Sequence, residues 1–345
     1  MTEPFVHTSY ASRVVFGPGT LQQVAAEVEL LGVRRALLIA TGSAQQAADE
    51  TQVALKELFA GRIDGVRQHV PTEVAEAARA KAREVNADGV VAIGGGSAIG
   101  LAKAIALTAD VQILAVPTTY AGSEMTPVWG ETSGGSKTTG TDLRVLPKTV
   151  VYDPTLTLQL PLHTTAASVA NALAHCVEAV WTEKANPITE TTAVEAARAL
   201  SKGLRTTLAN PTDIDARSNL LFGACLAGSA LASAGTGVHH KLCHLLGGTY
   251  NLPHAETHAA VLPQVARVKA VEVPQAKARL EEALQTHDLA TGLFDLFAAA
   301  NVPTSLQALG LTREQAKEAA DRFPGDVEEI LTRAWAGTRP EGATR

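Results

Sequence analysis

Five short apolar runs in the first half of the chain, separated by Ala-rich stretches, restrict its fold more than any other feature. The runs are Ala36–Ala40, Val66–Val70, Gly89–Ile93, Ile113–Val116 and Thr149–Tyr152. As a set they are nearly continuous in apolar character, which is what parallel strands covered on both faces require. Helical patterns lie between them, at Leu21–Leu31, Ala44–Phe59, Val74–Val85 and Ser97–Leu107. This alternation predicts a doubly wound α/β layer. The Gly-, Ser- and Thr-rich stretch Thr126–Asp142 interrupts it as a loop or small hairpin. After Asp153-Pro154 the strand signal fades and helical windows follow at Thr164–Trp181, Ile188–Leu208, Ile214–Ala232 and Val273–Leu284, with Asp213 as an N-cap. The reading is an α/β domain over residues 1–158 and an all-helical domain over 159–345. The boundary falls near Leu156–Pro161, and the polar tail from Gly337 is expected to fray.

At 345 residues the chain is long enough for two such cores. A net charge of −6 with no basic cluster argues against nucleic acid as a partner. The longest apolar runs stop well short of a bilayer span, so no membrane role is expected. Met1–Tyr10 lacks the basic start and apolar run of a secretory signal. Cys176, Cys225 and Cys243 are scattered and odd in number, which fits a reducing, cytoplasmic setting better than a disulfide scaffold. Cys176 and Cys243 read as small core residues.

The first chemical signal is Gly94-Gly95-Gly96-Ser97, directly after an apolar run and at the start of the helix carrying Lys103. Glycines allow close backbone approach to a pyrophosphate, and the new helix points free N–H groups at it. Three in a row exceed what a tight turn needs, although the spacing is not G-x-G-x-x-G. A second wall follows the next run, in Val116-Pro117-Thr118-Thr119-Tyr120-Ala121-Gly122-Ser123-Glu124. Its Thr118, Thr119 and Ser123 offer hydroxyls where open α/β sheets bind ligands. The strand ending at Thr41 carries no acid at its tip to repel a 2′-phosphate, so NADPH is admissible beside NADH.

The helical half concentrates histidine. Asn171 and His175 are four apart, as are His240 and His244, so each pair shares a helix face. His254 follows a Gly247-Gly248 break expected to turn the chain back. These residues are read as one cleft facing the glycine cradle. His239 and His258 flank the group, point elsewhere on helical geometry, and are assigned a structural role.

The ordered set Phe16-Gly17-Pro18-Gly19, Gly94-Gly95-Gly96-Ser97, Pro117-Thr118-Thr119, Asp153-Pro154, Asn171-x-x-x-His175, His240-x-x-x-His244, Pro253-His254 and Val302-Pro303-Thr304-Ser305-Leu306 resembles the iron-type alcohol dehydrogenases. The resemblance implies a dinucleotide-binding domain and a helical domain of the dehydroquinate synthase-like architecture, a homodimer, and an active site between the domains. In metal-dependent members an aspartate and three histidines hold Fe²⁺ or Zn²⁺. Here Asn171 stands at the aspartate position, with His175, His240 and His254 at the others. A neutral amide is a poorer ligand, so no metal is expected to be required.

Asn171, Gly100 and the segment Tyr120–Trp129, with Gly96–Lys103, look like the maleylacetate reductases within that superfamily. That likeness implies reduction of the carbon–carbon double bond of maleylacetate, a dicarboxylate keto-acid, to 3-oxoadipate in aromatic-compound degradation. Asn171, His175, His240, His244 and His254 become the catalytic set. Thr41, Gly94, Gly95, Gly96, Ser97, Thr118, Thr119 and Ser123 become the cofactor set. Lys241 and Arg144 are candidate cations for the dianion. The main rival is a metal-dependent alcohol or polyol dehydrogenase on the same fold. A non-catalytic nucleotide sensor and a dehydroquinate synthase-like lyase are weaker alternatives.

Overall fold

The computed structural model describes residues 4–67, 70–133 and 136–341. Its contacts divide the chain into two compact units. One comprises Tyr10–Leu160 with Thr212–Leu221; the other comprises the segment up to Ser9, Pro161–Pro211 and the chain from Phe222 on. The helical half therefore does not form one uninterrupted domain over 159–345, because the ten residues at Thr212–Leu221 pack with the α/β unit.

In the α/β unit the order is β1 (Arg13–Phe16), α1 (Val24–Leu30), β2 (Ala36–Ala40), α2 (Gln45–Leu55), β3 (Phe59–Ile63), α3 (Thr72–Glu84), β4 (Gly89–Gly94), α4 (Gly96–Ala106), β5 (Gln112–Pro117), β6 (Val128–Ser133), β7 (Ser136–Thr141) and β8 (Thr149–Tyr152). Six strands form one parallel sheet in the order β1-β8-β5-β4-β2-β3. Side chains alternate across it as the pleat requires. Leu37, Ile39, Val90, Ala92 and Ile113 face α3 and α4, against Ala75, Ala78, Ala98, Leu101 and Ile105. Leu38, Ala40, Val91, Ile93 and Val116 face α1 and α2, against Val24, Val28, Ala48 and Leu55. Covering both faces is why β2, β4 and β8 are buried along their whole length and read as unbroken apolar runs.

Two expectations fail at one place. Val66–Val70 is not a strand where described, and its Gln68 and His69 lie outside the described residues. The strand is β3, which begins at Phe59, the last residue of the stretch read as a helix. As the outermost strand it is only partly buried at every position. With Gly61 and Arg62 in it, it carries no apolar run to read. The Thr126–Asp142 stretch forms the antiparallel hairpin β6–β7.

The helical elements are α5 (Leu162–Glu178), α6 (Pro187–Ala209), α7 (Ile214–Ala234), α8 (Val238–Tyr250), α9 (His254–Lys269), α10 (Pro274–Leu284), α11 (Leu289–Ala299), α12 (Arg313–Arg322) and α13 (Glu328–Ala336). Asp213 caps α7 by accepting from the Ala216 N–H at 2.8 Å. α5 is buried continuously from Thr165 to Glu178, which demands its Ala-rich composition and brings α6 and α9 against it. α8, α9, α12 and α13 share a core of Leu242, Leu246, Val261, Leu306 and Leu331.

The chain reversal before His254 is not at Gly247-Gly248, through which α8 continues. It falls at Asn251, whose φ of 53° ends α8 in the left-handed conformation that asparagine tolerates. The described tail does not fray. Gln264 Nε2 donates to Thr338 O at 2.6 Å, Thr291 Oγ1 donates to Pro340 O at 3.0 Å, and Arg339 pairs with Asp295 at 2.7 Å. Residues 342–345 lie outside the described residues. Among the described residues no single helix is long and apolar enough to cross a membrane.

Candidate active site

At the carboxyl ends of β2, β4 and β5 the strands bring the expected cofactor residues together. The Thr41 N–H donates to Ile93 O at 3.2 Å, and the Thr118 N–H donates to Gly94 O at 3.0 Å. Gly94 has φ 151°, a conformation glycine alone adopts readily, and a Cβ there would lie 2.6 Å from Thr41 Cγ2. A Cβ on Gly95 would lie 2.9 Å from Thr119 Cγ2. Gly94 and Gly95 are thus required by packing. Gly96 is different, because a Cβ there meets nothing within 4 Å. Gly96 is exposed at the first turn of α4, where unpaired N–H groups and the positive end of the helix dipole favour an anion. Ser97 follows it on the same turn.

Ser123 is held from beneath by Lys103. The buried Lys103 Nζ donates to Ser123 O at 2.7 Å, Thr126 O at 2.8 Å and Val128 O at 2.7 Å. One ammonium thereby fixes the segment that leaves β5. Burial lowers Lys103 to about 7, opposed by the charge of Glu124. Glu124 is raised by its own burial and accepts from Tyr152 Oη at 2.7 Å. Ser123 Oγ is buried without a hydrogen-bond partner, as a hydroxyl awaiting a ligand would be.

In the helical unit six histidines from α5, α8 and α9 form one cluster. His175 Nδ1 and His240 Nε2 are 2.8 Å apart with rings stacked at 4.9 Å. His244 and His254 stack at 6.2 Å between centroids and are less buried than the rest. Asn171 Nδ2 lies 3.5 Å from His175 Nε2, and its Oδ1 is buried and unpartnered. His239 and His258 belong to the cluster, contrary to the reading that they point elsewhere. His258 meets His240 at 4.8 Å and His254 at 4.6 Å, and its Nδ1 is 2.8 Å from His239 Nε2. They were missed because helical spacing ranks residues along one helix, whereas these rings meet across α8 and α9.

Glu178 was missed altogether. It lies three residues beyond His175 on the same face of α5, at the i, i+4, i+7 spacing from Asn171 that could have revealed it. Its Oε2 bonds His240 Nδ1, and its Oε1 accepts the His239 N–H at 2.7 Å at the start of α8. Gly237 makes this approach possible, since a Cβ there would lie 2.8 Å from Oε1. Burial opposes ionisation of Glu178, but the hydrogen bond and charge of His240 hold it at about 2. Burial, reinforced by the charge of His240, pushes His239 down to about 3, and burial pushes His258 well below its ordinary value. The cluster thus holds one anion facing His240 and two rings kept neutral.

Of the candidate cations, Arg144 pairs with Asp142 at 2.7 Å, and Lys241 is exposed on α8. The donors at the metal-site positions are three imidazoles and an amide. Among the described residues, the trio of imidazole, thiol or carboxylate donors lying within 4.8 Å of one another is His239, Cys243 and His258, not His175, His240 and His254. Within that trio His239 and His258 bond each other, His258 Nε2 is buried without a hydrogen-bond partner, and burial raises the Cys243 thiol well above its usual range.

Two family descriptions cover most of this chain. "Iron-containing alcohol dehydrogenase" matches residues 11–154, and "Fe-containing alcohol dehydrogenase family, C-terminal" matches residues 165–329. The chain belongs to the iron-containing alcohol dehydrogenase family and is an oxidoreductase. Within that family it groups with the maleylacetate reductases. It is 46% identical to maleylacetate reductase 1 of Rhodococcus opacus, over 97% of this chain and 98% of the relative. The solved maleylacetate reductase of Agrobacterium tumefaciens is 40% identical with a TM-score of 0.93, covering 98% of this chain and 100% of that one. The iron-containing alcohol dehydrogenase of Corynebacterium glutamicum is 42% identical with a TM-score of 0.92, covering 98% of each chain.

Proposed function

We propose that this chain reduces the carbon–carbon double bond of maleylacetate with NADH or NADPH, giving 3-oxoadipate, without a required metal. Hydride adds to the alkene carbon β to the ketone, and the electron pair moves to the ketone oxygen as an enolate. Protonation of the neighbouring carbon then completes the saturated product, the hydride being what a bound nicotinamide cofactor would supply. The α/β unit supplies the phosphate cradle at Gly96-Ser97 with Thr41, Thr118, Thr119 and Ser123 around the strand ends. The helical unit supplies the proton through its histidines, with Asn171 and the less buried His244 and His254 as substrate contacts.

The observation that carries this reading is the chain Glu178–His240–His175–Asn171. It couples a buried carboxylate to imidazoles at hydrogen-bond distance, an arrangement suited to general acid catalysis. The same residues fit an Fe²⁺ or Zn²⁺ centre poorly. The position that needs an anionic donor holds an amide, and the carboxylate at hand is committed to His240 and the His239 N–H. No step here passes through a metal.

The test is oxidation of NADH and of NADPH by chelator-treated protein, with and without maleylacetate. Substrate-dependent oxidation by the metal-free protein supports the reading. Turnover that appears only after Zn²⁺ or Fe²⁺ is added refutes metal independence and favours a metal-dependent dehydrogenase.

A further inference from the structure

We propose that Asp64, just past the end of β3, selects the cofactor with a bare ribose 2′-hydroxyl, NADH, over its 2′-phosphorylated counterpart. The inference rests on the cofactor cradle proposed above and names which of the two nicotinamides it takes.

The glycine turn follows β4, and outward from β4 the sheet continues with β2 and then β3. In a doubly wound sheet that holds a pyrophosphate on such a turn, the adenosine ribose reaches the tip of the neighbouring strand. An acid there binds the diol, and an arginine there accepts a 2′-phosphate. Both tips face open space in this chain, since a Cβ on Gly42, just after β2, meets nothing within 4 Å, as at Gly96. The tip of β2 itself offers only the hydroxyls of Thr41 and Ser43, 3.3 Å apart.

The acid comes from the next strand. β2 and β3 run parallel with Ile39 opposite Ile63, so Asp64 follows level with Ala40 and one residue short of Thr41. Neighbouring strands are about 4.8 Å apart, and the Gln45 amide ties the two tips together. Its Nε2 donates to Thr41 O at 3.4 Å and to Asp64 Oδ1 at 3.1 Å. The Asp64 side chain is 53% exposed, and among the described residues its Oδ2 takes no hydrogen bond. A carboxylate oxygen only accepts, which matches a ribose hydroxyl that donates.

Arg62, on β3 beside Leu38, is the cation a 2′-phosphate would need. Each of its nitrogens is already committed: Nε donates to Asp64 at 2.9 Å, Nη1 to Asp49 at 2.5 Å, and Nη2 to Gln45 Oε1. Its side chain is only 14% exposed. Two carboxylates face this one guanidinium, so the group carries an excess of negative charge. A 2′-phosphate would add to that excess, whereas a hydroxyl meets an acceptor.

The test is equilibrium fluorescence titration of the wild type and of Asp64→Asn with NADH, NADPH and 2′-deoxy-NADH, which needs no turnover. The wild type should bind NADPH and 2′-deoxy-NADH each on the order of 10-fold more weakly than NADH. In Asp64→Asn both penalties should shrink to about twofold or less at an unchanged melting temperature, while Asp64→Glu keeps the wild-type order. Equal affinity of the wild type for NADH and NADPH overturns the proposal, as does a folded Asp64→Asn that keeps the wild-type ratios. Should that variant not fold, the wild type decides alone. Weakened binding of both analogues supports an acceptor at the 2′-hydroxyl, and undiminished binding of 2′-deoxy-NADH overturns it. A wild type that binds neither dinucleotide overturns the cradle and this inference together. One that binds NADH selectively yet leaves maleylacetate unreduced refutes the proposed substrate alone.

Discussion

Gly96→Ala separates a phosphate cradle from a tight turn. At Gly94 and Gly95 an added methyl would collide with Thr41 and Thr119, so loss of function there would not distinguish binding from packing. At Gly96 the methyl meets nothing within 4 Å, and the residue has ordinary helical geometry at the start of α4. If this were only a turn, alanine would stabilise the protein by about 0.4–1 kcal/mol through lost unfolded-state entropy, with no other effect. If a pyrophosphate occupies the open space, the methyl blocks the approach. Losing one hydrogen bond to a charged group costs about 1.5–3 kcal/mol. At about 1.4 kcal/mol per decade, that raises the NADH dissociation constant on the order of 10- to 100-fold. Fluorescence titration with NADH, beside thermal melting, reads both quantities. The expected result is a melting temperature equal to or above wild type with sharply weakened cofactor binding. An unchanged dissociation constant would refute the phosphate assignment at the first turn of α4.

Acid should open the histidine cluster. His239 binds its proton near pH 3 when folded and near 6.5 when unfolded, so the unfolded chain takes up the proton first as pH falls. Stability is full above 6.5 and has lost about 2 kcal/mol from this residue by pH 5, with His258 adding in the same direction. Native-state hydrogen exchange of α8 and α9 peptides, corrected for intrinsic rates, should show this fall, and a flat profile between pH 6.5 and 5 would contradict it. Asn171→Asp restores an anionic donor beside His175, and equilibrium dialysis should show Zn²⁺ bound at least about tenfold more tightly than by wild type; equal binding would show that Asn171 is not what weakens the metal site. Lys103→Met removes the ammonium from the carbonyls of Thr126 and Val128 and from Ser123 O, which keeps the Thr126 N–H at 3.2 Å and the Thr126 hydroxyl at 3.0 Å. At about 1–3 kcal/mol for each unsatisfied group, a lowered melting temperature and weaker NADH binding are expected, and normal values of both would show that the ammonium is dispensable.

The α/β layer was legible in the chain because its central strands are buried on both faces, and that physical condition forces unbroken apolar runs at Ala36–Ala40 and Gly89–Ile93. β3 was not legible, since an edge strand is half-covered and no local rule demands apolar residues there. The glycine turn was readable for a related reason. The passage from β4 into α4 leaves no room for a Cβ at Gly94 or Gly95, and Gly94-Gly95-Gly96 carries that requirement locally. The paired spacing of Asn171 with His175 and of His240 with His244 marked two helix faces. Spacing along one helix says nothing about what a second helix presents to it. Only the packing of α5, α8 and α9 brought His239 and His258 into the cluster and set Glu178 against His240. A buried carboxylate takes its meaning from the partner that keeps it ionised, and that partner is 62 residues away in sequence.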